Sequence, residues 1–519
     1  MDVLETDVLI LGGGPAGTWA AVSAAATGMG VVVADKARCG SSGPTAFGTT
    51  SLWNIPPGPA RDEAVHHEYA HGGGLGDPDW MYRVLEETHQ RVEQLARWGN
   101  RLPAGASDGG PRRLYLDGAG YLRRMRRGVL AAGVRILDHH PAMQLLVDRD
   151  GVVCGATGLA PHEGFRRWTV RARAVVVATG GCAFLSGRAG TDVDTGDGLL
   201  FAAEAGAELS GMEFSNAYGL TALPRARTSA ARSSFASGLA LRFATFYDES
   251  GAVVDGHRAE AFAAIADGRQ VFAAFDDVPE AVRRWLARHG VLDHTGRVPL
   301  HAVLEGTVRG TGGLRITGPD CATTVAGLYA AGDVTTREPI TGAISGLGGQ
   351  GGAWAIASGV WAGTAAAGFA RGADRRGPAY EVPGAGLNAV ARIDPRAVVG
   401  LVQEHTLPLR RSYWRSAGSL RDSIGELDGM WPGAEFDLGG SGVDRLRARQ
   451  AAALLAVARW TKYSALMRAE SRGMHRRTDH PGAAESWRVR LMSGGMRSVW
   501  VRPEGRRMMP REHACEIVA

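Results

Sequence analysis

Three glycines, Gly12, Gly14 and Gly17, stand in a Gly-x-Gly-x-x-Gly spacing directly after the apolar run Val8 to Leu11. Residues of this type and spacing make a phosphate cradle. The first permits a tight turn, the second lets backbone approach a pyrophosphate, and the third lets a helix pack close to a strand. The Ala-rich segment up to Gly28 reads as that helix. Its N-terminus offers free N–H groups and a positive dipole end to an anion. A second apolar run, Val31 to Ala34, ends in Asp35, 18 residues past Gly17. That is close to the spacing of an acid that binds a ribose hydroxyl. Lys36 and Arg38 follow it, and an acid there suits an unphosphorylated ribose. The ordered set predicts a dinucleotide site and leaves FAD and NAD both open.

The elements that must hold this site are spread along the chain. Cys39 to Gly48 is a small-residue loop able to lie against a flat ring or a phosphate. Asp79 to Trp98 reads as an amphipathic helix with Leu85, His89, Val92 and Leu95 near one face. Arg112 to Gly128 is a basic segment turning into a helix, and Val134 to Leu137 a strand. Met143 to Val147 and Val152 to Leu159 predict a hairpin turning at Asp150-Gly151, with a third strand from Phe165 to Arg171. A three-stranded antiparallel insert of this kind favours FAD, by fold analogy alone. Ala174 to Gly181 is a separate buried strand ending in a glycine turn.

From Ser215 to about Cys321 the pattern changes, as in an inserted second domain. It contains a hairpin from Phe243 to Val254 and a short helix from Pro279 to His289. The chain then returns to the first domain with Gly327 to Asp333, a glycine-rich loop from Gly342 to Gly352 and a helix from Ala353 to Ala370. Arg371 to Gly386 reads as a linker. Beyond Leu387 the pattern is helical, with Val443 to Arg468 the longest candidate and a closing hairpin within Arg488 to Ala519.

Composition sets further bounds. The 519 residues are enough for more than one domain. Hydrophobic content of 45% and charged content of 21% are ordinary for a soluble protein. The net charge of +5 is carried by scattered arginines, with lysine only at 36 and 462. No basic stripe for nucleic acid results. Arg123, Arg124, Arg126 and Arg127 read as a solvated helix face. The five cysteines (Cys39, Cys154, Cys182, Cys321 and Cys515) are far apart, with no metal-ligand or cluster spacing. Their dispersal, and a start without a signal segment, suggest a reducing, cytoplasmic setting. The Ala353 helix lacks the Leu/Ile/Val density of a membrane span.

These residues resemble the flavoprotein subunits of succinate dehydrogenase and fumarate reductase, to which L-aspartate oxidase and the adenylylsulfate reductase flavoprotein are similar. The resemblance rests on Gly12 to Gly17, Asp35-Lys36, Ala178 to Gly181, Thr195-Gly-Asp-Gly198, Met212-Glu-Phe214, Gly327 to Asp333 and Glu470 to Pro481. It implies an α/β fold: a Rossmann-type FAD-binding domain (1–214 and 322–385), an inserted α+β capping domain (215–321) and a helical C-terminal domain (386–519). It implies FAD held by Gly12, Gly14, Pro15, Ala16, Gly17, Asp35, Lys36, Ser41, Ser42, Gly43, Thr45, Ala178, Thr179, Gly180, Asp197, Gly332 and Asp333. The implied reaction is hydride transfer between flavin N5 and a small, anionic substrate in a bacterial enzyme, with no metal.

The departures from that family are specific. The family's covalent flavin attachment uses a histidine in the loop after the second strand; Ser41 to Thr45 has none, so the flavin is expected to be non-covalent. Three substrate-facing positions that carry His, His and Arg in the family hold Tyr218, Val308 and Ser345 here. A four-carbon dicarboxylate is then a poor expectation. Replacement candidates are Arg225, Arg227, Arg232, Arg242 and Arg309, with Tyr218, His257 and His301; Arg232, Arg309 and Tyr218 are the leading ones. Arg472 and His475 read equally as a site pair or as a structural ion-paired element. Three functions compete: a stand-alone FAD dehydrogenase, oxidase or reductase; the flavin subunit of a pair with a ferredoxin or other electron-transfer protein; and a non-enzymatic flavin-binding role.

Overall fold

Val8, Leu9, Ile10 and Leu11 have next to no solvent exposure and form the inner half of strand β1, Val3–Leu11. The apolar run at the centre of a parallel sheet buries both faces, which is why it does not alternate. Pro15 then opens helix α1, Pro15–Ala25, with Gly14 as its N-cap. Proline is well placed there because a first-turn N–H has no helical partner. Strand β2, Val31–Ala34, pairs with β1 in parallel.

The structure, a computed structural model, describes residues 3–100, 113–222, 241, 244–254, 258–275, 280, 284, 296–346, 348–373 and 377–505. The central sheet runs 380–381, 142–147, 153–160, 166–177, β1, β2, 135–137, with 328–330 added alongside 166–177. It is mixed. Strand Arg166–Val177 runs parallel to β1 over its whole pairing and antiparallel to Val153–Ala160 over its first half. The third strand of the antiparallel insert and the buried strand before Gly181, expected as two elements, are therefore one continuous strand. A single chain segment crosses from one half of the sheet into the other, so the two halves twist as one body.

Helix Gln350–Gly372 covers one face of this sheet and packs along α1. Cβ atoms at Gly359 and Gly363 would lie 2.5 Å from Ala16 O and 2.3 Å from Ala20 O. Small residues let the two helices touch backbone to backbone, which explains the Ala/Gly composition. No helix among the described residues is long and apolar enough to cross a membrane.

A second sheet, 217–222, 297–305, 271–274 and 245–247, is antiparallel and lies within the segment expected to form the cap. Tyr247 bridges Val253 across the turn, as the hairpin reading expects. The helix expected over Pro279 to His289 lies largely outside the described residues. Helices Pro395–Thr406, Ala417–Phe436 and Gly442–Met467 pack together near the C-terminus. The closing hairpin, Leu491–Gly494 with Trp500–Pro503, pairs with Leu209–Ser210 and so stitches the chain end to the first half of the molecule.

Three local expectations need correction. The basic segment before Gly128 begins as a strand, Arg113–Asp117, paired with Thr49–Trp53, before Asp117 caps the helix Gly118–Ala131. The segment read as a linker contains Tyr380–Glu381, which extends the central sheet. Arg126 is not on a solvated face: its guanidinium grips both Asp138 oxygens at 2.8 and 2.7 Å and donates to Cys39 O.

Candidate functional site

The strand ends of the central sheet open on one cavity. Its wall includes Gly12 to Ala16, Asp35, Lys36, Ser42 to Thr45, Ala178 to Gly180, Asp194, Asp197, Arg309, Gly332, Asp333 and Arg337. This is the crevice beyond the carboxyl ends of parallel strands, where nucleotide ligands lodge in such sheets.

The three fingerprint glycines do different jobs. Gly12 has φ +110, and a Cβ there would lie 2.2 Å from Ala178 O. Gly17 lies behind the cavity wall, where its Cβ would stand 1.9 Å from Gly12 O. Gly14 has nothing within 4 Å of a built Cβ and faces the cavity. Two glycines are therefore needed for packing and one leaves room for a ligand.

Asp35 closes the loop. Its Oδ2 accepts from Gly13 N at 2.6 Å and its Oδ1 from Ala37 N at 2.7 Å. Burial pushes its carboxyl up despite those two donors. Lys36 Nζ reaches Thr195 Oγ1 at 2.8 Å and Asp197 Oδ2 at 2.7 Å, and Thr195 donates to Asp197 Oδ1. Thr179 Oγ1 and Asp194 Oδ2 are buried and, among the described residues, without a hydrogen-bond partner. The residues present fit a bound FAD: an open glycine, an N-terminal helix end, buried polar atoms and a charged rim line one cavity.

Other candidates are placed elsewhere. Ser41 is off the wall; its hydroxyl donates to Arg38 O at 2.8 Å. Tyr218 is buried in an aromatic cluster with Phe262 and Tyr413, and its hydroxyl donates to Leu407 O at 2.8 Å and Thr406 O at 3.2 Å. Those carbonyls hold it away from the cavity. Val308 and Arg309 do line it, whereas Ser345 and His301 do not. Arg225, Arg227, Arg232, Arg242 and His257 lie outside the described residues.

The signature from Glu470 to Pro481 builds structure. His475 is fully buried, with Nδ1 2.7 Å from Arg415 Nη1 and Nε2 3.0 Å from Arg468 O. Arg472 pairs with Glu470, which also holds Arg468, and Arg468 pairs with Glu213 at 2.8 Å. Buried charges need such partners. The network ties the C-terminal segment to Met212-Glu-Phe214.

Arg337 was not singled out in the sequence. It is buried, pairs with Asp333, and its Nη2 donates to Thr307 O at 2.9 Å, Val308 O at 3.1 Å and Gly310 O. It thereby fixes the turn that presents Arg309. Arg309 itself lies 3.7 Å from Glu305, which Arg188 holds from the other side at 2.8 Å.

The FAD binding domain family matches residues 7–309, and the fumarate reductase flavoprotein C-terminal family matches 441–498. An L-aspartate oxidase of Streptomyces coelicolor is 30% identical over 232 residues, covering 41% of this chain and 39% of that protein. A fumarate reductase flavoprotein subunit of Mycobacterium tuberculosis is 30% identical over 237 residues, covering 42% and 40%. These alignments thus span about two-fifths of the curated relatives' length. The fold matches E. coli quinol fumarate reductase with a TM-score of 0.80 at 19% identity, over 97% of both chains. It matches adenylylsulfate reductase of Archaeoglobus fulgidus with 0.75 at 18% identity, over 97% of this chain and 96% of that one. With more than half its length matched by the FAD binding domain and the C-terminal match following in order, the chain belongs to the FAD-binding flavoprotein family of succinate dehydrogenases and fumarate reductases.

Proposed function

We propose that this protein is an oxidoreductase that moves hydride between non-covalently bound FAD and a small anionic metabolite other than a four-carbon dicarboxylate. Bound FAD would supply a two-electron acceptor or donor at N5. The wall residues named above would hold it: Gly14 against the phosphates, Asp35 and Lys36 at the edge, Thr179, Gly180, Asp197 and Asp333 around it. Non-covalent binding is supported by the wall itself, which includes no histidine or cysteine among the described residues.

The observation that carries the substrate reading is Arg309 on the cavity wall beside Val308, on a turn clamped by Arg337. A fixed cation there can bind an anion and stabilise charge that develops during hydride transfer. Val308 cannot do so at a position where the family carries a cation. Lost charge-assisted contacts cost about 1.5–3 kcal/mol each, or roughly ten- to a hundredfold.

The test is a screen for substrates that bleach the flavin anaerobically, or reoxidise it once reduced, with succinate and fumarate included. The proposal expects a different small anion to react well and these two poorly. Fumarate turnover at rates ordinary for enzymes, about 10 per second, would overturn the substrate reading. A ferredoxin-type protein required for any turnover would favour the two-component alternative.

A further inference from the structure

One cavity residue has no role in the reading above. Asp194 is 3% exposed and sits on the cavity wall. Its backbone is tied down, with N–H donated to Thr191 O and C=O accepting from Ala183 N, both at 2.9 Å. Its Oδ2 has no hydrogen-bond partner among the described residues. The carboxyl lies against Gly180, where a Cβ would stand 2.3 Å from Asp194 Oδ1. The nearest lysine, Lys36, is committed to Asp197 and Thr195. Arg337 is committed to Asp333 and to backbone carbonyls. An acid held in place, buried, and ion-paired with no cation among the described residues is costly if charged.

The surroundings add to that cost. Asp35, Asp197 and Asp333 share the wall with Asp194, against the cations Lys36, Arg309 and Arg337. A bound pyrophosphate would bring further negative charge into the same space. Burial raises the Asp194 carboxyl well above its usual range, with Asp333 adding most among the charges, Lys36 opposing, and Asp197 and Asp192 adding more.

We infer that Asp194 stands in the cavity as a neutral carboxylic acid that donates its O–H to an acceptor atom of the bound cofactor. The inference rests on FAD as the occupant, and FAD binding by the wild-type protein is the control that keeps the two claims apart. A neutral acid can donate to the cofactor, and it places no added charge beside the phosphates. Gly180, with φ +79, leaves room for the carboxyl at that point.

Two measurements test it. The first is the infrared C=O stretch of a protonated carboxyl at neutral pH, in wild type, Asp194→Asn and Asp194→Ser. A band present in wild type and missing from both variants is expected, with or without FAD. The second is FAD affinity, read by quenching of flavin fluorescence. Asp194→Asn, whose amide still donates, should bind within about twofold of wild type, whereas Asp194→Ala should bind about three- to tenfold more weakly. Infrared spectra that do not differ between wild type and variants would overturn the inference. So would Asp194→Ala binding as tightly as wild type, or Asp194→Asn binding as weakly as Asp194→Ala.

Discussion

Lys36 Nζ lies 2.7 Å from Asp197 Oδ2, and the pair joins the end of β2 to the start of the helix Asp197–Glu204 across the cavity rim. Both side chains are largely buried, at 20% and 14% exposure. Removing the lysine would leave Asp197 as an uncompensated charge facing the phosphates. Lys36→Met should therefore weaken FAD binding by about tenfold, from the loss of about 1.5 kcal/mol or more. Flavin titration of the apoprotein measures it, and an unchanged dissociation constant would show the pair is only structural.

Gly12 and Gly14 should fail differently when substituted. Gly14→Val adds a side chain into open space, so the protein should fold normally and lose FAD. Gly12→Ala places a Cβ 2.2 Å from Ala178 O on a backbone with φ +110, so it should cost folding itself. Circular dichroism with the flavin-to-protein absorbance ratio separates the two effects. A Gly14→Val protein that keeps its flavin would mean this glycine does not face the phosphates.

Arg309→Ala should lower turnover by about a hundredfold, on the order of 3 kcal/mol, and leave the flavin spectrum intact. Its side chain is 38% exposed and its pairing with Glu305 is long, at 3.7 Å, so the fold should not depend on it. Steady-state kinetics on the substrate found by the screen checks this. A change below about twofold is what an ordinary surface arginine would give.

Glu338 sets a pH dependence of stability. It is fully buried, accepts from Ser210, and burial together with the nearby Glu213 charge raises its carboxyl to about 7, against 4.5 ordinarily. The folded state thus holds a proton that the unfolded chain releases first. Its stabilising contribution is full below about pH 4.5, is lost as pH rises towards 7, and stays lost above. The loss should be about 3 kcal/mol. Thermal melts of Glu338→Gln should lack this part of the decline, while a variant with the wild-type pH profile would assign it elsewhere.

Much of this molecule was legible before its fold was known, because the informative residues act locally. Gly12, Gly14 and Gly17 follow a strand and open a helix, and a ligand-binding turn needs only those neighbours. Features made by distant pairing were not legible. The single strand Arg166–Val177 reads as two because Arg171 and Arg173 interrupt its apolar pattern where it changes from antiparallel to parallel neighbours. The terminal hairpin shows its alternation but not its partner, Leu209–Ser210, which lies far away in sequence. Tyr218 occupies a position that faces substrate in the family, yet two carbonyls from the C-terminal helices, Thr406 and Leu407, take its hydroxyl. The burial of Asp194, and the burial and carbonyl partners of Arg337, are not revealed by residue type alone.

The proposed chemistry needs FAD in the cavity, held there without a covalent bond. The direct measurement is the flavin content of the purified chain before and after denaturation in acid. The expected result is a yellow protein whose flavin is all released, intact, as FAD. A colourless protein that binds no added FAD, or flavin that stays on the denatured polypeptide, would contradict it.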